Sequence, residues 1–365
     1  MKLITALTLA VGLLCAAATY ALAEPVPAAL VRASGRMVDA DASSGGWLAT
    51  WPGVNWSLRF QARDLGVRLN DKVNYWTLEV DGKEMLQIAP APGERVVWLR
   101  DLPPGEHLAR LVKRTESPRE AAHFLGFELE GGAALSAPPR ATQQMEFIGD
   151  SYTAAMGNLS PGRACSGPEI SARTDVGQGF AVLSARALGA EWQIHAKSGM
   201  GLVRNWNGGV PHETHGSHYA RIVQSQALGE LSKSSGEWRP QTIVIGLGTN
   251  DFSTPPAATE PRNAGQLERD FLQAYRELLT ALRQRYGDPR IVLISLPLGN
   301  GDRLRPLVER LLAEQRAAGQ QRIYGLDWGT LRGMGCGSHP DAEDHRQMAA
   351  TLLAKLREID KLEAQ

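Results

Sequence analysis

Serine, histidine, asparagine and glycine recur in four short segments whose combined chemistry would be acyl transfer. In Phe147-Ile148-Gly149-Asp150-Ser151-Tyr152-Thr153 an apolar stretch meets a glycine and then a serine, the pattern of a buried strand ending at a tight turn. A hydroxyl at such a strand-to-helix corner stands above the sheet, where helix N-terminal N–H groups can stabilise a developing oxyanion. Taken alone, Gly-Asp-Ser is better read as a helix cap supplied by Asp150 or Ser151. Three further segments weigh against that. Lys197-Ser198-Gly199-Met200-Gly201 and Gly246-Leu247-Gly248-Thr249-Asn250-Asp251 each follow a strand pattern, so both fall on the rim that carries Ser151. Glycine admits close backbone approach and Asn250 offers a neutral N–H donor, although the same residues serve ordinary turns everywhere. Gly335-Cys336-Gly337-Ser338-His339-Pro340, a loop ahead of the last helical pattern, supplies a histidine for a general base.

The elements that must position these residues fall into two groups. From Val31 to about Gly132 short β-rich pieces recur at Trp47–Trp51, Asn55–Phe60, Gly66–Leu69, Tyr75–Val80, Arg95–Leu99, His107–Val112 and Phe124–Leu129, separated by turns such as Asp81-Gly82 and Pro103-Pro104-Gly105. That spacing predicts a β-sandwich, with a jelly roll as its form, over residues 24–138. Gly131–Ala141, rich in Ala and Pro, reads as the linker. Beyond it strands and helices alternate: a strand to Ile148, a short helical run Tyr152–Met156, helix Phe180–Leu188, strand Trp192–Ala196, strand Thr242–Leu247, helix Leu267–Tyr286, strand Arg290–Leu296, helix Arg303–Ala318, strand Ile323–Leu326 and helix His345–Leu362. The alternation predicts a three-layer α/β domain over residues 139–365 with a mostly parallel sheet, whose ligands bind at the carboxyl ends of the strands.

Composition narrows the partners. The 365 residues carry 39 basic and 39 acidic side chains, a balance without the footprint of a nucleic-acid or anionic-lipid binder. A neutral polymer or small molecule fits better. Met1-Lys2, an apolar run from Leu3 to Ala18 and Ala21-Leu22-Ala23 form a signal peptide (1–23) cleaved after Ala23, so the mature chain is expected to start at Glu24, secreted or periplasmic, without stable membrane insertion. Leu14, in front of Cys15, argues against a lipoprotein site. Cys165 and Cys336 remain, and in an oxidising compartment they are expected to bond to each other.

The four segments resemble the four blocks of the SGNH, or GDSL-type, hydrolases: Gly149-Asp150-Ser151, Ser198-Gly199, Gly248-Thr249-Asn250-Asp251 and His339-Pro340. The β-rich region in front, together with Ser198–Trp206 and Gly335–Pro340, makes the chain similar to carbohydrate esterase family two, secreted acetyl esterases that act on xylan and related polysaccharides. The resemblance implies a flavodoxin-like sheet, no cofactor, an acetylated oligo- or polysaccharide as partner, and an acyl-enzyme on Ser151 with His339 as base. It implies an oxyanion hole of the Ser151 and Gly199 N–H groups and the Asn250 amide, with Gly201 as the fallback for Gly199. SGNH enzymes generally carry an aspartate three residues before the histidine, where this chain has Cys336, and the position two before is Gly337. The expectation is therefore a Ser-His dyad whose imidazole is oriented by a main-chain carbonyl from the Gly337 region.

Other residues have competing readings. His212, His215 and His218 lack the i, i+4 helical pairing of zinc enzymes, so no metal is expected there and the segment reads as a surface or cleft loop. Asp341 is expected to cap the last helix and His345 to lie within it. Asp251 is a possible substrate-binding residue, and Trp206 either stacks a sugar or belongs to the core. Acetyl transfer between sugars and non-catalytic glycan binding are the alternative functions.

Overall fold

The computed structural model describes residues 23–39, 45–117, 119–219, 238–299 and 301–364; the expected leader and part of the segment after His218 lie outside them. Two antiparallel sheets form the N-terminal part. One orders Val38–Asp39, Trp47–Ala49, Ala122–Glu130, Asp64–Asp71 and Ala91–Leu99, with Glu24–Pro25 added beside Ala122–Glu130. The other orders Ala133–Ala134, Asn55–Gln61, His107–Lys113, Trp76–Val80 and Lys83–Ile88, with Val31–Ser34 beside Asn55–Gln61. The alternating apolar residues of both sheets meet in one core that includes Trp47, Trp56, Phe60, Trp76, Phe124 and Phe127. Lys83–Ile88 escapes sequence reading because most of its side chains face solvent. Positive φ at Asp81 (53°) and Gly82 (76°) folds it back onto Trp76–Val80. The expected linker is not wholly irregular, since Ala133 and Ala134 pair with Gln61 and Phe60.

The second part is a five-stranded parallel sheet. Its strands are β1 (Gln144–Gly149), β2 (Glu191–Ala196), β3 (Thr242–Gly246), β4 (Arg290–Ser295) and β5 (Ile323–Asp327), in the order β2-β1-β3-β4-β5. This is the flavodoxin-like order, with its crevice where the winding reverses between β1 and β3. Among the described residues four helices cover it: α1 (Phe180–Ala187), α2 (Ala264–Tyr286), α3 (Leu304–Ala317) and α4 (Ala342–Glu363). The two-residue period of a strand sorts the side chains between layers. Ile148, Ile243, Ile245, Ile291 and Leu293 pack against α2 and α3, while Met145, Phe147, Val244, Val292 and Ile294 pack against α1 and α4.

Helices α2 and α4 begin three residues earlier than apolar spacing alone predicts, because capping boxes start them: Asn263 with Gln266, and Asp341 with Asp344. The expected helical run Tyr152–Met156 does not form. Those residues make consecutive turns, with Ala154 N–H on the Asp150 carbonyl, Met156 N–H on the Ser151 carbonyl and Ala155 at φ 56°. The chain is turned there to reach the loop that carries His339. Among the described residues no helix is long and apolar enough to cross a membrane.

Candidate active site

Ser151 stands two residues past the end of β1, and Gly149 is what permits the turn. A Cβ there would stand 2.1 Å from Thr153 Oγ1 and 3.1 Å from the Gly246 carbonyl. The turn leaves Ser151 only 5% exposed, at the crevice between β1 and β3. Its Oγ lies 2.8 Å from His339 Nε2, across a sequence gap of 188 residues. On the other side of the ring, His339 Nδ1 donates to the Cys336 carbonyl at 2.8 Å. Burial pulls the imidazole below its ordinary value of 6.5, opposed by the Cys336 and Gly337 carbonyls. A neutral ring with its proton on Nδ1 leaves the Nε2 lone pair to accept the Ser151 hydroxyl. Tyr152 packs its ring edge-on against this imidazole, centroid to centroid 5.4 Å.

The orienting carbonyl is thus centred on Cys336, one residue before the expected Gly337. Gly337 (φ 61°) and Ser338 (φ 66°) are both left-handed, which curls the chain so that the Cys336 carbonyl receives both the His339 N–H, at 3.2 Å, and its Nδ1. Among the described residues no carboxylate completes the array. Asp341 accepts the Glu343 and Asp344 N–H groups as the helix cap, and Asp327 accepts the Ser295 hydroxyl and the Gly329 N–H.

The histidine loop is held by the turn behind Ser151. Cys165 and Cys336 form a disulfide between segments 171 residues apart. Cys336 N–H bonds the Gly157 carbonyl at 3.2 Å and Gly337 N–H the Arg163 carbonyl at 2.7 Å. Arg163 in turn donates to the Gly333 and Arg332 carbonyls. Gly157 must be glycine, since a Cβ would lie 2.3 Å from Cys336 Cβ. On the far side the buried Asp344 carboxylate accepts the N–H groups of Arg332, Gly333 and Asp341. Gly157, Arg163 and Asp344 escaped sequence reading, because only their long-range partners give them a role.

Among the described residues the N–H groups of Ser151 and Gly199 have no protein acceptor. Gly199 has φ 74°, and a Cβ there would meet nothing within 4 Å, so backbone conformation rather than space favours glycine. The fallback, Gly201, is not available, because its N–H is taken by Asn205 Oδ1 at 3.0 Å. Asn250 Nδ2 donates to Asp150 Oδ2 at 3.2 Å and to the Met200 carbonyl at 3.1 Å. Burial, with Asp251 nearby, pushes the Asp150 carboxyl up to about 7, against its bonds from Tyr152 and Thr249.

Asp251 does not face a ligand. It is fully buried and accepts the N–H groups of Leu202, Val203 and Arg204 at 2.8–2.9 Å, which ties the loop after Gly199 to the turn after β3. Trp206 is 60% exposed and so is not core; its N–H bonds the Gly199 carbonyl at 2.9 Å, which places it on the rim beside the oxyanion turn. His212 is exposed, but His215 is buried against Tyr219, so the expected surface loop is only partly one. The His218 side chain lies outside the described residues.

Residues 33–139 match the carbohydrate esterase 2 N-terminal model, and residues 147–330 match the GDSL-like lipase/acylhydrolase family. An acetylxylan esterase / glucomannan deacetylase of Cellvibrio japonicus is 32% identical over 95% of this chain and 96% of its own length. A solved carbohydrate esterase, described by an active site with divergent catalytic and non-catalytic binding functions, superposes with a TM-score of 0.82 at 30% identity, covering 92% of this chain and 98% of that one. A family two carbohydrate esterase of Clostridium thermocellum in complex with cellohexaose gives a TM-score of 0.79 at 28% identity, over 91% and 99% of the two chains. With both of its parts matched in order and a relative aligned nearly end to end, the chain belongs to carbohydrate esterase family 2 and is a carboxylic ester hydrolase.

Proposed function

We propose that the protein is a secreted serine esterase that removes O-acetyl groups from carbohydrate, with a sandwich domain over 24–138 and a hydrolase domain over 139–365. The observation that carries this is the 2.8 Å contact between Ser151 Oγ and a His339 whose tautomer is set by the Cys336 carbonyl. Ser151 attacks the acetyl carbonyl as His339 takes its proton, and the negative charge develops on the carbonyl oxygen near the Ser151 and Gly199 N–H groups. His339 then returns the proton to the leaving sugar hydroxyl. Water, activated by the same histidine, releases acetate from the acyl-enzyme. The Asn250 amide joins the oxyanion hole by exchanging one of its two long bonds for the substrate oxygen. The substrate class is supported by the relatives, and the exposed Trp206 ring on the rim offers a stacking surface for a sugar.

The test is acetate release from acetylated xylan, acetylated glucomannan and simple sugar acetates, by wild type and Ser151→Ala. Release from the saccharides, lost in the variant, is expected. Substantial turnover by Ser151→Ala sinks the acyl-enzyme, and turnover of p-nitrophenyl acetate without any saccharide sinks the substrate class. N-terminal sequencing of exported protein is expected to begin at Glu24.

A further inference from the structure

The strand His107–Lys113 ends at the seam between the two parts, and the residues just beyond it grip the catalytic part at two points. Arg114, 2% exposed, donates to the Thr174 and Ala172 carbonyls at 3.1 and 3.2 Å and faces Asp175 at 3.6 Å. That segment carries the grip onward, since Thr174 Oγ1 accepts the Gly157 N–H and the Asp175 carbonyl accepts Asn158 Nδ2. Gly157 is the residue packed under Cys336, so the sandwich braces the clasp on the histidine loop. Two residues past Arg114, Glu116 Oε2 accepts the N–H of Ser198 at 2.8 Å.

Ser198 immediately precedes Gly199. The peptide that carries the Gly199 N–H is therefore held between two fixed neighbours. The peptide before it is pinned through Ser198 N–H to Glu116, and the one after it through the Gly199 carbonyl to Trp206 N–H at 2.9 Å. One pin belongs to the catalytic part and the other to the sandwich. Burial pushes the Glu116 carboxyl up, opposed by its bonds from Ser198 and by the charges of Lys197 and Lys113.

We infer that Glu116, a residue of the β-sandwich, is a positioning residue for the oxyanion turn, holding the Ser198 peptide so that the Gly199 N–H meets the reacting acyl oxygen. The inference rests on the proposed acyl-enzyme reading. The sandwich then contributes to the chemical step as well as to the shape of the seam. A donor that is mis-aimed rather than lost slows the chemical step without weakening substrate binding.

The experiment compares Glu116→Ala, Glu116→Gln and Glu116→Asp in the full chain, with Ser151→Ala in parallel, on p-nitrophenyl acetate and an acetylated sugar. Glu116→Ala is expected to lower kcat about 10–100-fold with KM close to wild type. Glu116→Gln keeps an oxygen that can accept the Ser198 N–H and should recover most of that loss. Glu116→Asp keeps the charge but withdraws the acceptor by one methylene, and should behave like the alanine variant; it carries the test should Glu116→Ala not fold. A kcat within twofold of wild type for both shortened variants overturns the role. So does an effect confined to KM, or a glutamine variant no better than alanine. An inactive Ser151→Ala beside an unaffected Glu116→Ala refutes the positioning role alone, whereas an active Ser151→Ala refutes the acyl-enzyme beneath it.

Discussion

Two buried histidines in this protein solve the same bonding problem with different partners. His195, on β2, has Nδ1 2.9 Å from Glu146 Oε1, and that carboxylate also accepts the Tyr219 hydroxyl and Trp238 Nε1, with Arg36 3.8 Å away. His339 has its Nδ1 on a neutral carbonyl. Burial and Arg36 push His195 down despite Glu146, and His195, Arg36 and the Tyr219 bond hold Glu146 down despite its burial, so the pair is an anion beside a neutral ring. A carboxylate beside a histidine therefore marks no catalytic site by itself. Here it serves a knot that joins Arg36 of the sandwich to β1 and β2, while the ring that faces a serine relies on a carbonyl. What distinguishes the two is what lies across the ring: a hydroxyl at 2.8 Å for His339 and, among the described residues, no hydrogen-bond partner for His195 Nε2. Catalysis needs a fixed tautomer and an open lone pair, and a carbonyl supplies the first while stabilising the imidazolium less than a carboxylate would.

The sharpest way to break this contrast is to remove each ring. His339→Ala should lower kcat on p-nitrophenyl acetate by ~10⁴-fold or more, as should Ser151→Ala, and the double variant should be little worse than either, because the two act as one unit. Additive losses would show that they do not. His195→Ala should leave kcat of the folded protein within several-fold of wild type.

The opposite asymmetry is expected for stability. Glu146→Ala leaves Arg36 without its carboxylate and the Tyr219 hydroxyl and Trp238 N–H without their acceptor, and should cost about 3–5 kcal/mol in denaturant unfolding. A loss below about 1 kcal/mol would mean that the knot contributes little.

Acid separates the two rings further. His339 must be neutral to accept the Ser151 proton, and its folded value lies below 6.5, so kcat/KM should hold as pH falls past 6.5 and decline only below it. An acid limb with an apparent pKa at or above 6.5 that persists in Asp150→Asn would contradict that. His195, held near 3 in the folded state, should act on stability instead. The unfolded chain binds its proton first, so stability is lost as pH drops below 6.5 toward the folded value. Asp150, pushed up to about 7, can add an ionisation near neutrality, which Asp150→Asn would remove from the kcat/KM profile.

The smallest effect is expected where a triad acid would stand. Asp341→Asn should change kcat less than about tenfold, far from the ~10⁴-fold cost of replacing a true triad aspartate. Its stability cost should stay below about 1 kcal/mol, because asparagine also caps helices. A loss of thousands in kcat, here or for Asp327→Asn, would overturn the carbonyl-oriented dyad.

Much of the fold is legible in the sequence because it rests on local pattern. Strict alternation marks the sandwich strands, continuous apolar runs such as Ile243–Ile245 mark strands covered on both faces, and Ser151 and Asn250 lie just past the ends of such runs. Tyr152–Met156 misleads for a definite reason. Its helical composition is overridden by the left-handed Ala155 and Gly157, which turn the chain toward Cys336. Asp251 misleads likewise, because whether a carboxylate meets a ligand or three backbone N–H groups depends on a loop some fifty residues away.

The sequence by itself determined the layers, the strand ends with the serine, glycine and asparagine just past them, and the loop histidine ahead of the last helix, since these follow from periodicity and turn chemistry within a few residues. Tertiary structure alone decided which carbonyl orients His339, that Gly201 is spent on Asn205, that Trp206 is exposed, and that Glu116 of the sandwich reaches Ser198. Those choices are made by hydrogen-bonding partners distant along the chain. A backbone N–H or carbonyl reads the same at every position of a sequence, and only folding determines which acceptor or donor comes within 3 Å of it.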